Sequence, residues 1–297
     1  MLKHTVAIIT LVLLIFTSSY SQEKNMNKEV LIRCDDIGMC HSVNMAADEL
    51  IKTGIPFSAS IMFTCPWYQE AVEILKGHPQ VTIGIHLVLN AEWKNYRWGP
   101  VAGRTAVPSL VDSLGYFFPS RATFEANHPT LKDIETELRA QIKRALATGL
   151  DIKYVDYHMS TAVDRPEYQA ILEKLAHEYH LGISRFFGEK DMKSMYSDPI
   201  ESKADSLYKR LPELNTDYVH LLVCHIGLDN PELRAMKDLN VFGPKHMSKH
   251  RNAELNALLS PRFMEAIKAN GIKLINYSQL IDRVGLENMK DPGNLRD

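Results

Sequence analysis

The residues best equipped for chemistry sit where short β-forming runs end. The run Glu29 to Cys34 leads into Asp35-Asp36, Val81 to His86 closes on its histidine, Ile152 to Tyr157 leads into His158, and Tyr218 to Cys224 leads into His225. In a parallel barrel the loops after the strands gather at one face, so side chains far apart in sequence meet there. Two carboxylates and three imidazoles fall at that end. One carboxylate with two neutral imidazoles suits a divalent metal ion and leaves positions open for water and substrate. Nitrogen-rich ligation favours zinc, while a mixed nitrogen and oxygen set also takes magnesium, manganese or nickel. Each feature alone has a plainer explanation. Adjacent acids commonly form a turn or a helix N-cap, and a lone strand-end histidine is usually a hydrogen-bonded structural group. Recurrence at corresponding positions in successive units favours a shared site. Of the other histidines, His41 lies close behind the acid pair, and the rest default to surface or packing roles.

The elements that must position these residues alternate between β-rich runs and helix-length segments. Strands are expected at Glu29 to Cys34, Phe57 to Met62, Val81 to His86, Ile152 to Tyr157, Gly182 to Phe187, Tyr218 to Cys224 and Ile272 to Asn276. This pattern predicts an α/β fold, a distorted TIM-like barrel of about seven parallel strands. Helices are punctuated as expected: Val43 to Lys52 stops at Gly54, and Trp67 to Lys76 lies between Pro66 and Gly77. Thr130 and Asp133 form a weak variant of a capping box before Ile134, Leu138 and Ile142, and Glu167 to Tyr179 follows Pro166. One stretch, 90–128, breaks the alternation with many glycines, prolines and aromatic residues. A loop that long inside a compact domain usually has a job.

The whole chain has 297 residues, 45% hydrophobic and 24% charged, with Lys plus Arg at 34 against 36 for Asp plus Glu. No linker divides it, so residues 22–297 are expected to form a single domain. Neither charge sign forms a long run, which argues against a nucleic-acid partner. Residues 1–21 read as a secretory signal peptide: Lys3 and His4, an apolar stretch from Val6 to Phe16, then small residues at Ser19 and Ser21. About 11 apolar residues fall short of the roughly 20 needed to cross a bilayer, so a stable membrane anchor is not expected, and the mature protein is placed in a periplasm or outside the cell. Cys34, Cys40, Cys65 and Cys224 are too few and too scattered for a disulfide framework and are expected as free thiols. A homodimer stays open, with no interface to name.

Taken in order, the motifs resemble a known family. Cys34-Asp35-Asp36-Ile37-Gly38, Asn44, Ser58-Ala59-Ser60-Ile61-Met62, Gly84-Ile85-His86-Leu87, Asp156-Tyr157-His158 and His225-Ile226-Gly227 are similar to the YdjC/ChbG-type carbohydrate deacetylases. Arg251, Glu254-Leu255, Ser260-Pro261 and Gly271-Ile272-Lys273-Leu274 resemble that family's ending, so the likeness spans roughly 29–281. It implies an Asp-His-His metal site at Asp36, His86 and His158, with Asp35 as general base and His225 as general acid. Two departures stand out: Ser160 where the family often has a second histidine, and Ile226 where it has a proline. The first points to a changed substrate contact rather than a lost metal.

The expected reaction is metal-dependent removal of acetyl groups from N-acetylated sugars. Asp35 would take the proton of the attacking water, and His225, held as imidazolium near its ordinary pKa of about 6.5, would protonate the departing amine, giving a bell-shaped pH profile. Trp93, Tyr96 and Trp98 either stack on sugar rings or plug one barrel end. Ser160 and Arg251 complete the candidate substrate contacts. An O-acetyl esterase or small-amide hydrolase would use the same apparatus, and an exported sugar-binding protein without catalysis is the alternative of another class.

Overall fold

A computed structural model describes residues 27–241, 243–293 and 295, and the expected leader at 1–21 lies outside them. Eight strands pair in parallel as one curled sheet: β1 (Lys28–Ile37), β2 (Phe57–Ile61), β3 (Val81–Leu87), β4 (Ile152–Tyr157), β5 (Gly182–Ile183), β6 (Lys190–Asp191), β7 (Val219–Cys224) and β8 (Ile272–Ile275). Their order is β5-β4-β3-β2-β1-β7-β6. The first half of β1 pairs with β8, from Lys28 opposite Ile272 to Leu31 opposite Ile275, and its second half pairs with β2. The sheet is therefore a distorted barrel rather than a regular one.

β1, β2 and β3 are buried along nearly their whole length, as strands covered on both faces are, although β1 carries charged residues within that buried run. The helices are α1 (His41–Lys52), α2 (Tyr68–Leu75), α3 (Arg121–Ala126), α4 (Leu131–Leu146), α5 (Pro166–Glu178), α6 (Lys203–Arg210), α7 (Pro231–Ala235), α8 (Met247–Leu259), α9 (Pro261–Ala269) and α10 (Tyr277–Val284). Thr130 caps α4 by accepting from the Asp133 N–H, but the Asp133 carboxylate does not reciprocate. It accepts instead from the backbone and hydroxyl of Ser109. The four cysteines are free and buried. Among the described residues no helix is long and apolar enough to cross a membrane.

Two details depart from expectation. The fifth strand stops at Ile183 instead of Phe187, because Arg185 turns into the left-handed region (φ 76) and the Glu189 carboxylate collects the N–H groups of Arg185 and Phe187. β6 was not expected at all, since two exposed residues carry no hydrophobic period.

Candidate metal centre

The loops after β1, β3, β4 and β7 meet around a cavity of ≈ 540 Å³, a volume usual for small-ligand sites. Its shape depends on irregularities in the strands. Alternation along β1 would send Asp35 and Asp36 to opposite faces. A bulge prevents this: Cys34 opposes Ala59 and Ile37 opposes Ile61, so β1 carries one residue more than β2 across the gap. Asp36 takes up the excess with a left-handed φ of 63. Such strain, of order 1–3 kcal/mol, is commonly stored at functional sites. Both carboxylates thus reach the same cavity. His86 is the last residue but one of β3, two residues after Gly84, where a Cβ would lie 2.3 Å from the Tyr154 ring and push β3 off its core. His158 leads into two consecutive left-handed residues, Met159 and Ser160, which turn the chain away at the cavity wall.

Asp36, His86 and His158 present three atoms at the corners of a nearly equilateral triangle. Asp36 Oδ1 lies 3.3 Å from His86 Nε2 and 3.3 Å from His158 Nδ1, and the two nitrogens are 3.3 Å apart. Bonds of about 2.0–2.1 Å at tetrahedral angles place neighbouring zinc ligands about 3.3–3.4 Å apart, so the spacing fits a shared cation. Among the described residues, Asp36 Oδ1 is buried without a hydrogen-bond partner, an atom in want of a ligand.

The surrounding side chains aim both rings at the triangle. Asp156 Oδ1 is 2.9 Å from His86 Nδ1, and Glu92 Oε2 is 3.0 Å from His158 Nε2. A carboxylate on the far nitrogen is the usual way a metal-binding imidazole is oriented. Arg33 holds Asp35 with two bonds of 2.7 Å and reaches Asp156 Oδ2 at 2.8 Å, while Arg251 Nη2 meets Asp36 Oδ2 at 2.5 Å. Four buried carboxylates (Asp35, Asp36, Glu92, Asp156) therefore face two guanidinium groups, and two negative charges are left over. Without a cation the imidazoles must carry the balance. Burial pulls their pKa down, but Asp156, Asp35 and Asp36 lift His86 to about 10, and Glu92 and Asp36 lift His158 to about 9. Burial would raise Asp36, yet Arg251 and the two imidazoles hold it well below the usual carboxylate range. Asp35 is likewise lowered against its burial, chiefly by Arg33. A divalent cation would carry the charge this arrangement lacks, and Asp36, His86 and His158 are spaced to hold one.

His225, the fourth strand-end residue, also lines the cavity. Among the described residues no carboxylate pairs with its ring. Nδ1 has no partner among the described residues, and Tyr196 packs edge-on at 5.3 Å. Burial lowers its pKa below the ordinary value, with Arg251 adding to the effect and Asp36 and Asp35 opposing it. What is fixed is its backbone. The His225 N–H donates to Glu254 Oε2, and Glu254 Oε1 pairs with the fully buried Lys203 at 3.0 Å.

The candidate substrate contacts divide. Trp93, Ser160 and Arg251 line the cavity, while Tyr96 and Trp98 do not. Trp98 is buried with its indole N–H on the Asn90 carbonyl, and the Tyr96 hydroxyl donates to the Met39 carbonyl. Both pack the interior of the insertion. Arg251 is committed to Asp36 and stacks over Trp93 at 5.9 Å. His41 pairs with Glu70 and does not line the cavity. Sequence reasoning missed Arg33, Glu92 and the orienting part played by Asp156. Arg33 had a signal, a lone cation inside an apolar strand two residues before Asp35.

Fold and site together define a parallel α/β barrel with a buried Asp-His-His cluster at the C-terminal ends of its strands. Residues 29–269 match the model of the YdjC-like protein family, and the chain belongs to that family. A carbohydrate deacetylase of Enterococcus faecalis is 28% identical over 265 residues, covering 86% of this chain and 98% of its own. One from Vibrio cholerae is 27% identical over 262 residues, covering 85% and 96%. A crystal structure from Enterococcus faecalis, described as a candidate cellobiose-phosphate cleavage protein, is similar with a TM-score of 0.71 at 25% identity, covering 86% of this chain and 99% of that one.

Proposed function

We propose that the protein is a metal-dependent carbohydrate deacetylase acting on N-acetylated sugars, exported after loss of residues 1–21. The observation that carries this reading is the 3.3 Å triangle of Asp36, His86 and His158 inside a ring of carboxylates that is short of positive charge. The carbohydrate deacetylases that match 85–86% of this chain support an acetylated carbohydrate as substrate.

Asp36, His86 and His158 would hold a divalent ion, which would supply Lewis acidity for the acetyl carbonyl and lower the pKa of a water. The chain's own groups do the rest. Asp35, kept ionised by Arg33, accepts the proton of the attacking water on a carboxylate oxygen. Arg33 restrains both oxygens, so the base is fixed in place and its basicity moderated. His225, on the cavity wall, delivers a proton to the departing nitrogen and regains one from solvent. Trp93 and Ser160 contact the sugar from the cavity wall.

Acetate release from N-acetylated and O-acetylated oligosaccharides, by metal-stripped and zinc-reloaded protein, tests the reading. Reloading should restore release from the N-acetylated substrate. Asp35→Asn and His225→Ala should each lower kcat by about 10²–10⁴-fold, and His86→Ala should abolish stoichiometric metal uptake. Release from the O-acetylated substrate alone would make the protein an esterase. Metal and sugar binding without turnover would make it a binding protein.

A further inference from the structure

The 90–128 insertion supplies Trp93 to the cavity wall and packs along α4. Its interior is apolar, with Trp98, Val107, Leu110, Phe117 and Phe124 all buried. Its first residues, however, carry Glu92, whose carboxylate is the partner of His158. We propose that Glu92 is a positioning residue of the metal centre, and that the insertion, anchored on α4, is the scaffold that delivers it. This rests on the Asp-His-His centre of the reading above and adds to it a dependence on residues outside the cavity.

The argument follows the hydrogen bonds. One face of α4 presents three buried polar residues at helical spacing, Asp133, Glu137 and Gln141, in a place where apolar residues would be expected. Each reaches out of the helix to the backbone of the segment that begins at the end of β3. Gln141 accepts from Val88 N at 2.9 Å and donates to Val88 O at 2.7 Å. Glu137 accepts from Val101 N and Ala102 N, both at 2.9 Å, and from Gln141 Nε2 at 2.7 Å. Asp133 accepts from Ser109 N and Oγ. Burying such groups is costly unless every bond is made, so the ladder specifies one path for the loop.

That path leaves Glu92 little freedom. Val88 is clamped by Gln141, Asn90 O takes the Trp98 indole, Asn90 Oδ1 takes the Thr161 hydroxyl, and Ala91 N donates to Phe118 O at 3.0 Å. Glu92 O itself accepts from Leu239 N at 2.8 Å, where Trp93 and Asp238 form an isolated antiparallel bridge. Four of the five residues from 88 to 92 are thus tied, and the carboxylate of the last meets the far nitrogen of His158. Loss of such an outer carboxylate typically costs about 10–100-fold in metal affinity.

The test uses the full mature chain, with Zn²⁺ titrated calorimetrically and Co²⁺ followed by visible absorption. The isosteric Glu92→Gln should weaken Zn²⁺ binding about 10–100-fold and alter the Co²⁺ spectrum at saturation. Gln141→Met, which touches neither cavity nor ligand, should weaken binding in the same direction. If Gln141→Met fails to fold, Glu92→Gln decides the matter alone. A wild-type protein that takes up neither ion would sink the metal reading itself. Wild-type uptake matched by folded Glu92→Gln, in affinity and spectrum, would overturn this inference and leave that reading standing.

Discussion

Replacing Lys203 by methionine removes one buried charge and leaves its partner behind. The Lys203 side chain is fully buried, and its ammonium has three acceptors: Glu254 Oε1 at 3.0 Å, the Tyr196 carbonyl at 3.0 Å and the Met195 carbonyl. All three N–H groups are satisfied, which is the condition under which a buried ammonium is tolerated. Methionine fills the space but makes none of these bonds, and Glu254 stays buried with only the His225 N–H to answer it. Breaking such a pair from one side costs about 3–5 kcal/mol. At about 2–4 °C per kcal/mol for a domain of this size, the melting temperature should fall by roughly 6–20 °C. Differential scanning calorimetry of Lys203→Met and of Lys203→Met/Glu254→Gln measures it. The double variant should recover more than half the loss, because no charge is then stranded and glutamine still offers an oxygen to His225. A single-variant loss below about 1 kcal/mol, or a double variant no better than the single, would refute the account of this pair as mutually dependent.

Burial lifts Glu137 from 4.5 to about 7 against the opposing bonds from Ala102, Gln141 and Val101. A raised carboxyl pKa means the folded state favours the proton, so this stability is complete below about 4.5 and lost as pH climbs through about 7, roughly 3 kcal/mol in all. Urea unfolding should therefore show Glu137→Gln gaining on wild type between pH 5 and pH 8, by up to about 3 kcal/mol, and parallel curves would contradict it. Gly84→Ala should cost more than the 1–3 kcal/mol typical of overpacking, because the new Cβ would sit 2.3 Å from the Tyr154 ring. Adding Tyr154→Leu should recover part of that loss in the same denaturation assay.

Much of the barrel could be read in advance because its strands are long, apolar and bounded by turns. Five of the seven expected strands lie within a residue of their observed limits, and β1 runs on to Ile37 only because the bulge keeps the acid pair in register with β2. The two-residue β6 and the truncated β5 are decided by Arg185, Glu189 and Asp191, which bond to one another across a turn and carry no periodic signal. Tyr96 and Trp98 show a related limit. An aromatic side chain in a long loop looks the same in sequence whether it faces ligand or interior, and the Asn90 and Met39 carbonyls that hold these two are visible only in the fold.

The order of side chains along the chain was enough to bring Asp35, Asp36, His86, His158 and His225 to one end of one barrel, since parallel strands joined by helices must all finish on the same side. It was not enough to say what surrounds them. Arg33 on Asp35, Arg251 on Asp36, Asp156 on His86 and Glu92 on His158 join residues up to 215 positions apart. Electrostatic balance in a buried site depends on distances of a few ångströms between such groups, and those distances exist only once the chain has closed on itself.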